Sequence, residues 1–436
     1  MLKIKDKTKF YIALIVFGLT GQVAWVVENM YFNVYVYKMF GASATDISTM
    51  VAVSAVVAAL TTIFVGALSD KFGKRKPFIA IGYIIWGLTI SLFALIRVDV
   101  ISKLFPTVSA MSLGVTLVII MDGVMTFFGS TANDACFNAW ITDTTDNTNR
   151  GKVEGLNSMM PLVAILVVFG GFMSFNLDLA SSWTTIFLII GIAVILIGVL
   201  GLFTIKEVEI NKTQNGSYFK NLIHGFKPSV IKENKNFYFA LIAFAVFNIS
   251  IQIFMPYLIL YYEVSLGMKN YVLIMAPAII LASVVTALYG KVYDKYGFLN
   301  SVILPISSLI LGYVLLFFFK NAVLVFIGSL AMMSGYLTGM SVFGAKIRDY
   351  TPENKSGSFQ GLRIIGQVLI PGVIGPFIGS AVLKNAKTTV GTDGTVSFIP
   401  NSNIFLAALI VAVVLIGYLA LYFTVLNKKE RRNNNG

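Results

Sequence analysis

Acidic residues set in otherwise apolar stretches are the first groups in this chain that could do chemistry. Asp122 lies in the run Val115 to Phe128, where a charge costs at least a few kcal/mol if it meets hydrocarbon. Read as a helix, the residues stacked with it are Thr126, Gly129, Ser130 and Asn133, a small polar stripe that should face inward. Glu28 sits in a second apolar run, on the flank of a stripe formed by Gln22, Trp25, Asn29 and Asn33. An aromatic face beside amides and carboxylates is the equipment that binds a hydroxylated ring. The ring's apolar face stacks while its hydroxyls take hydrogen bonds. Buried carboxylates can also hold and release protons. A third group carries Asn248, Gln252, Pro256 and Tyr257, and a fourth Arg363, Gln367 and Pro371. Arg363 can either snorkel to a membrane surface or pair with Asp122 or Glu28. The structural alternative for the polar stripes is hydrogen bonding between helices, worth about 1 kcal/mol per pair.

These groups recur in a pattern. Gly66-Ala-Leu-Ser-Asp70-Lys71-Phe72-Gly73 is echoed by Gly290-Lys-Val-Tyr-Asp294-Lys295-Tyr296-Gly297, displaced by 224 residues. Asp143-x-Thr145-x5-Gly151-x3-Gly155-Leu156 is echoed by Asp349-x-Thr351-x5-Gly357-x3-Gly361-Leu362, displaced by 206. Two echoes in register imply two homologous halves. At the first displacement Glu28 corresponds to Gln252; at the second, Arg363 and Gln367 correspond to Asn157 and Pro161. The cations Lys71, Lys74 and Arg75 are placed to pair with Asp143 or Glu154, and Asp294, Lys295 and Asp349 repeat the arrangement. Such contacts would form a gate that biases one conformer. The bland reading is that the cations only enforce topology.

The elements that must hold these residues are membrane helices. Hydrophobic residues make up 57% of the 436 and charged residues only 12%, about half the charge of a soluble domain. Apolar runs of crossing length fall at roughly 10–37, 46–66, 77–97, 107–135, 151–174, 183–204, 237–262, 271–290, 299–319, 321–344, 357–382 and 403–426. Runs this long are helices rather than barrel strands. The expected fold is all-α, with twelve transmembrane helices in two pseudo-symmetric six-helix bundles: 1–204, a cytoplasmic linker 205–236, and 237–436 with a cytoplasmic tail. With the amino terminus inside, the inner segments hold 25 Lys and Arg and the outer ones 7. That split places both termini in the cytoplasm, in a multi-pass protein of the cell (inner or plasma) membrane. The net charge of +13 is thereby explained without nucleic acid.

The run Gly66-x3-Asp70-Lys71-x-Gly73-Lys74-Arg75 resembles the loop signature of the major facilitator superfamily. Gly73-Lys-Arg-Lys-Pro77, Met121-Asp122 and Asn133-Asp-Ala-Cys-Phe-Asn-Ala-Trp140 are similar to the glycoside–pentoside–hexuronide:cation symporters (the melibiose permease group) and to proton-coupled sucrose and sugar carriers. The resemblance implies secondary active transport by alternating access, with Asp122 as an acidic sugar-site residue and a basic residue on the Arg363 helix. Those symporters carry two aspartates one turn apart on the second helix. Here the places hold Ala58 and Thr62, so a hard cation lacks ligands there. The expected activity is therefore symport of a sugar or glycoside with protons through Glu28 or Asp122. The alternative is a major facilitator carrier of another solute, a lipid or amphiphilic drug, with antiport left open. A membrane sensor or enzyme ranks below both, because no Walker loop, HExxH helix or nucleophile elbow occurs.

No cofactor and no metal site is expected, and a monomer in the lipid bilayer is. Cys136 and Trp86, Trp140 and Trp183 are expected to pack or anchor outside the site stripe. Tyr218 to Phe226, which includes the single histidine His224, could lie as an amphipathic helix on the inner surface. Val390-Gly-Thr-Asp393-Gly394-Thr-Val396 reads as an Asp-Gly hairpin, and the Asn-rich tail 433–436 as disordered.

Overall fold

The computed structural model describes residues 4–145, 150–207, 225–351, 356–390 and 396–434. The segment Tyr218 to His224 and the Asp393-Gly394 turn lie outside these residues, as does the side chain of Glu154.

The chain is helical almost throughout. Helix α1 runs Ile4–Val26, passes through a π turn at Val27–Tyr31 and continues as Phe32–Phe40. Gly41 ends it at φ 63°. A capping box then starts α2 (Ala44–Phe72): the Ser43 hydroxyl accepts from the Asp46 amide while the Asp46 side chain accepts from Ser43 N. Next come α3 (Lys76–Leu92) and α4, which runs Ala110–Gly129, widens into π turns over Ser130–Phe137 and ends as Asn138–Thr144. Helices α5 (Arg150–Phe172) and α6 (Ala180–Thr204) follow.

Helix α7 starts as Lys235–Phe254, tightens at Met255–Tyr257 around Pro256 and closes with a π turn at Tyr261–Ser265. The rod Val272–Phe318 is two helices, α8 and α9, joined at Gly297 with φ 70° and ψ 179°. Gly297 is the repeat partner of Gly73, which closes α2 at φ 66°. Both positions need the left-handed backbone that glycine adopts without strain. The chain ends with α10 (Ala322–Asp349), α11 (Ser356–Ile364, a π turn at Ile365–Leu369, then Ile370–Leu383) and α12 (Asn403–Asn434).

Ten of these elements are long and apolar enough to cross a membrane. One of the ten is the α8–α9 rod, and α5, whose apolar part is Met159–Phe172, completes the expected twelve. Large apolar side chains such as Leu60, Phe64, Leu196 and Phe203 are exposed, as helices facing hydrocarbon require. The tail departs from its expectation: α12 stays helical to Asn434.

The chain divides into two compact units, Met1–Ser217 with Thr388–Phe398, and Tyr218–Lys387 with Ile399–Gly436. In the first, α1 packs on α5, α2 on α4 and α3 on α6. In the second, α7 packs on α11, and the α8–α9 rod packs on α10 and α12. The same pairing scheme appears twice, as the sequence echoes imply. Each core is aromatic. Tyr35 lies 5.2 Å from Trp183 and 4.9 Å from Phe187 in the first, and Phe254 lies 5.5 Å from Tyr313 and 5.6 Å from Phe405 in the second. Cys136, Trp140 and Trp183 are buried packing residues. The hairpin forms from Thr388–Val390 and Val396–Phe398, paired Val390 to Val396. It is grouped with the first unit, where the Tyr37 hydroxyl donates to the Phe398 carbonyl at 2.6 Å.

Candidate functional site

Four side chains from three helices of the first unit meet in one knot. Ser54 on α2 places its hydroxyl 3.0 Å from Glu28 Oε1, 2.6 Å from Asp122 Oδ2 and 2.9 Å from the Thr126 hydroxyl. The Thr126 hydroxyl donates to Glu28 Oε1 at 2.8 Å. Glu28 and Asp122 are buried, at 6% and 1% exposure. Their other oxygens, Glu28 Oε2 and Asp122 Oδ1, have no hydrogen-bond partner among the described residues.

The hydrogens in this knot can be counted. Each of the four contacts needs one, and Ser54 and Thr126 supply one each. With both acids ionised, half the contacts are unmade and two buried negative charges have only two hydroxyl hydrogens between them. A proton on Asp122 Oδ2, donated to Ser54, frees the Ser54 hydrogen for Glu28 or Thr126.

A second network lies beside it. The Trp25 indole donates to Asn133 Oδ1 at 3.3 Å, Asn133 Nδ2 donates to the Tyr83 hydroxyl at 2.7 Å, and Tyr83 donates to the Phe17 carbonyl at 2.8 Å. Asp134 accepts from Ser130 at 3.0 Å. The rings of Trp25 and Trp86 lie 5.0 Å apart over Gly129, where an added Cβ would stand 2.7 to 2.9 Å from both indoles. Trp86, expected outside the site stripe, therefore forms the wall behind Trp25. Its Nε1 is buried without a partner among the described residues.

The π turns decide which stripe residues stay accessible. Gln22 and Trp25 are half-buried and Asn29 is exposed, but Asn33 is 1% exposed. A straight helix would put Asn33 on the face of Asn29. The π turn at Val27–Tyr31 adds residues to the turn and rotates Asn33 inward. Asn29 and Asn33 donate to the carbonyls of Trp25 and Asn29 at 2.8 and 3.0 Å.

In the second unit, Asn248 bonds the Phe244 carbonyl of its own helix at 2.9 Å, and Tyr257 is fully buried, its hydroxyl 3.4 Å from the Pro376 carbonyl. Gln252 remains half-buried, where α11 approaches so closely that a Cβ on Gly375 would stand 2.5 Å from the Gln252 Cβ. Arg363 Nε donates to Gln367 Oε1 at 3.0 Å, across the start of the α11 π turn.

At the loop after α2, Arg75 is 4% exposed and gathers the partners expected for a charged latch. It bonds Asp70 and the Ser69 hydroxyl, and its Nε donates to Asp143 at 3.0 Å. Burial works against the guanidinium charge, but Asp70 and Asp143 outweigh it and hold its pKa above the ordinary value. Glu207, overlooked by sequence reasoning, accepts from the backbone of Arg75 at 2.6 Å and of Lys76 at 3.3 Å, capping the start of α3. The latch is internal to the first unit. In the second unit Leu299 stands where repeat symmetry would put the arginine. There Tyr293 bonds Asp349, Lys295 lies 5.0 Å over the Tyr296 ring, and Asp294 is exposed. Lys71 is exposed too.

Residues 10–376 match the Major Facilitator Superfamily profile. The chain belongs to that superfamily. Solved structures agree in fold. The nucleoside transporter NupG, in a point-mutant form, superposes with a TM-score of 0.71 at 13% identity, covering 94% of this chain and 99% of its own. A bacterial homolog of the human lysosomal transporter Spinster, inward-facing and occupied, gives 0.68 at 15%, covering 98% of both. The xylose transporter XylE from E. coli, partially occluded and inward-open, gives 0.67 at 13%, covering 94% and 99%. No curated protein matches the sequence significantly. This major facilitator protein is a multi-span secondary transporter of a small solute.

Proposed function

We propose that this major facilitator protein carries a sugar or glycoside in symport with protons by alternating access, as a monomer in the cell membrane with both termini cytoplasmic. The observation that carries the coupling is the knot itself: Glu28 Oε1 and Asp122 Oδ2 both lie on the Ser54 hydroxyl, at 3.0 and 2.6 Å. Two ionised carboxylates sharing one hydroxyl at low dielectric repel strongly, and a proton bound between them relieves that repulsion. Releasing that proton leaves four contacts with two hydrogens. This gives loaded and unloaded knots different packing energies, the differential interaction a coupling ion needs to shift a conformational equilibrium.

The solute reading rests on residues that remain accessible. Gln22 and Trp25 are half-buried and Asn29 is exposed on a spanning helix. Polar side chains there belong on an aqueous path rather than against lipid. Asp122, at 1% exposure, fits the proton role better than direct contact with solute. Arg363 and Gln367 are the second unit's candidates, with Gln252.

The test is uptake of labelled mono-, di- and trisaccharides into proteoliposomes, under an imposed proton gradient and then a sodium gradient. Accumulation of one sugar under the proton gradient alone is expected. Accumulation driven only by sodium would refute the coupling assignment. Failure of every sugar under both gradients would refute the sugar reading.

A further inference from the structure

Asp134, unlike Asp46, Asp70 and Asp143 near the ends of their helices, is an acid well inside a spanning helix of the first unit that the coupling knot leaves unused. It sits at the centre of the π stretch Ser130–Phe137 of α4. Its carboxylate is half-buried, accepts from Ser130 at 3.0 Å, and lies within reach of the Trp25 indole N–H. Among the described residues no cation pairs with it. A carboxylate held in a spanning helix without a counter-charge costs free energy that a purely structural role does not offset.

Its surroundings point to a ligand. In the π stretch Asn133 accepts from the Trp25 indole at 3.3 Å, and its chain neighbour Asp134 also lies beside Trp25 of α1. Asn133 is spent on Trp25 and Tyr83. Trp25 is backed by Trp86 at 5.0 Å, and Trp86 Nε1 is buried with no partner among the described residues. Gln22 and Asn29 lie one turn to either side of Trp25 and remain accessible. An indole wall, two accessible amides and a carboxylate oriented by a hydroxyl form one acceptor-rich corner.

We propose that Asp134 is a substrate-binding and specificity-determining residue: its carboxylate accepts two neighbouring hydroxyls of an uncharged ring compound whose apolar face rests on Trp25. The proposal rests on the reading that the solute is hydroxylated. It deepens that reading by requiring vicinal hydroxyls, which a sugar or the ribose of a nucleoside could supply. The acid acts on solute, and the Glu28–Asp122 pair acts on protons.

The test uses the full chain in proteoliposomes at fixed pH, with counterflow in the absence of a proton gradient. The probes are labelled mono-, di- and trisaccharides, the nucleoside uridine, and deoxy analogues of whichever compound is carried. Asp134→Asn keeps the volume and one acceptor oxygen but loses the charge and the second acceptor. It should raise KM about tenfold or more, since sites built around a substrate hydroxyl discriminate steeply, and should leave the maximal rate within about threefold. Its fractional loss should be the same in counterflow and in proton-driven uptake. The wild type should reject an analogue lacking one vicinal hydroxyl, and Asp134→Asn should largely lose that discrimination. Ser130→Ala, which frees the carboxylate from its orienting hydroxyl, should give a smaller rise in KM. An unchanged KM in Asp134→Asn, or a deoxy penalty that persists in it, overturns the proposal while sugar transport itself stands. Uptake of uridine but no sugar overturns the sugar reading and keeps the hydroxyl site. Uptake of neither overturns both.

Discussion

Replacing Ser54 by alanine probes the coupling knot without removing either acid. The hydroxyl touches Glu28 Oε1, Asp122 Oδ2 and Thr126 Oγ1, at 3.0, 2.6 and 2.9 Å. Glu28 keeps its bond from Thr126, but Asp122 keeps nothing, because its other oxygen already lacks a partner. A hydrogen bond to an ionised group is worth about 1.5–3 kcal/mol and a neutral one about 0.5–1.5. Losing Ser54 therefore costs the empty, ionised knot about 1.5 kcal/mol more than the protonated one. Proton release should become about tenfold less favourable, since each 1.4 kcal/mol is a factor of ten. In proteoliposomes with release into the lumen, proton-driven uptake by Ser54→Ala should fall by up to about tenfold at neutral internal pH. Raising the internal pH by about one unit should restore it. Counterflow, which needs no net proton release, should change little. Ser54→Thr, which keeps a hydroxyl, should lie between the two. The reasoning is refuted if Ser54→Ala lowers counterflow and proton-driven uptake alike, or if alkaline lumens give no recovery.

Two further perturbations test other parts of the first unit. Arg75→Lys keeps the charge but cannot reach Asp70, Ser69 and Asp143 at once. With Asp70 and Asp143 partly solvated, a loss of about 1–2 kcal/mol is expected, read as a lower melting temperature of the detergent-solubilised protein, and no shift would show the latch to be idle. Gly129→Ala drives a methyl to within 2.9 Å of both Trp25 and Trp86, an overpacking of about 1–3 kcal/mol. Displaced indoles should change the tryptophan emission and weaken solute affinity, and unaltered emission with normal affinity would mean that the wall does not position Trp25.

Much of this architecture is legible in the chain. Hydropathy marks the spans, and the Gly73 and Gly297 echoes mark equivalent turns that both proved left-handed. Glu28 and Asp122 stand out because acids in apolar runs are costly. Ser54 does not stand out. Hydroxyls in spanning helices commonly bond their own helix, as Thr62 does to the Ala58 carbonyl and Ser91 to that of Gly87, and only the tertiary approach of α1 and α4 to α2 gives Ser54 its three partners. The helical stripe failed where the helix is not regular. A constant turn predicts Asn33 beside Asn29 and leaves Asp134 unremarked, whereas π turns at Val27–Tyr31 and Ser130–Phe137 bury the first and bring the second to Trp25. Backbone widening of this kind leaves no signature in residue periodicity.

The pairing of Tyr37 with the Phe398 carbonyl bears on how the chain can be divided. The two strands Thr388–Val390 and Val396–Phe398 are encoded deep in the second half yet count structurally with the first. A gene cut in the segment between α6 and α7 would therefore not yield two self-sufficient pieces. The leading fragment would be made without the partner of its Tyr37 hydroxyl, and the trailing one would carry a ribbon whose companion ring is missing. Co-expressed fragments would have to find each other to complete this contact, so the hairpin makes reassembly of the halves part of finishing the first one.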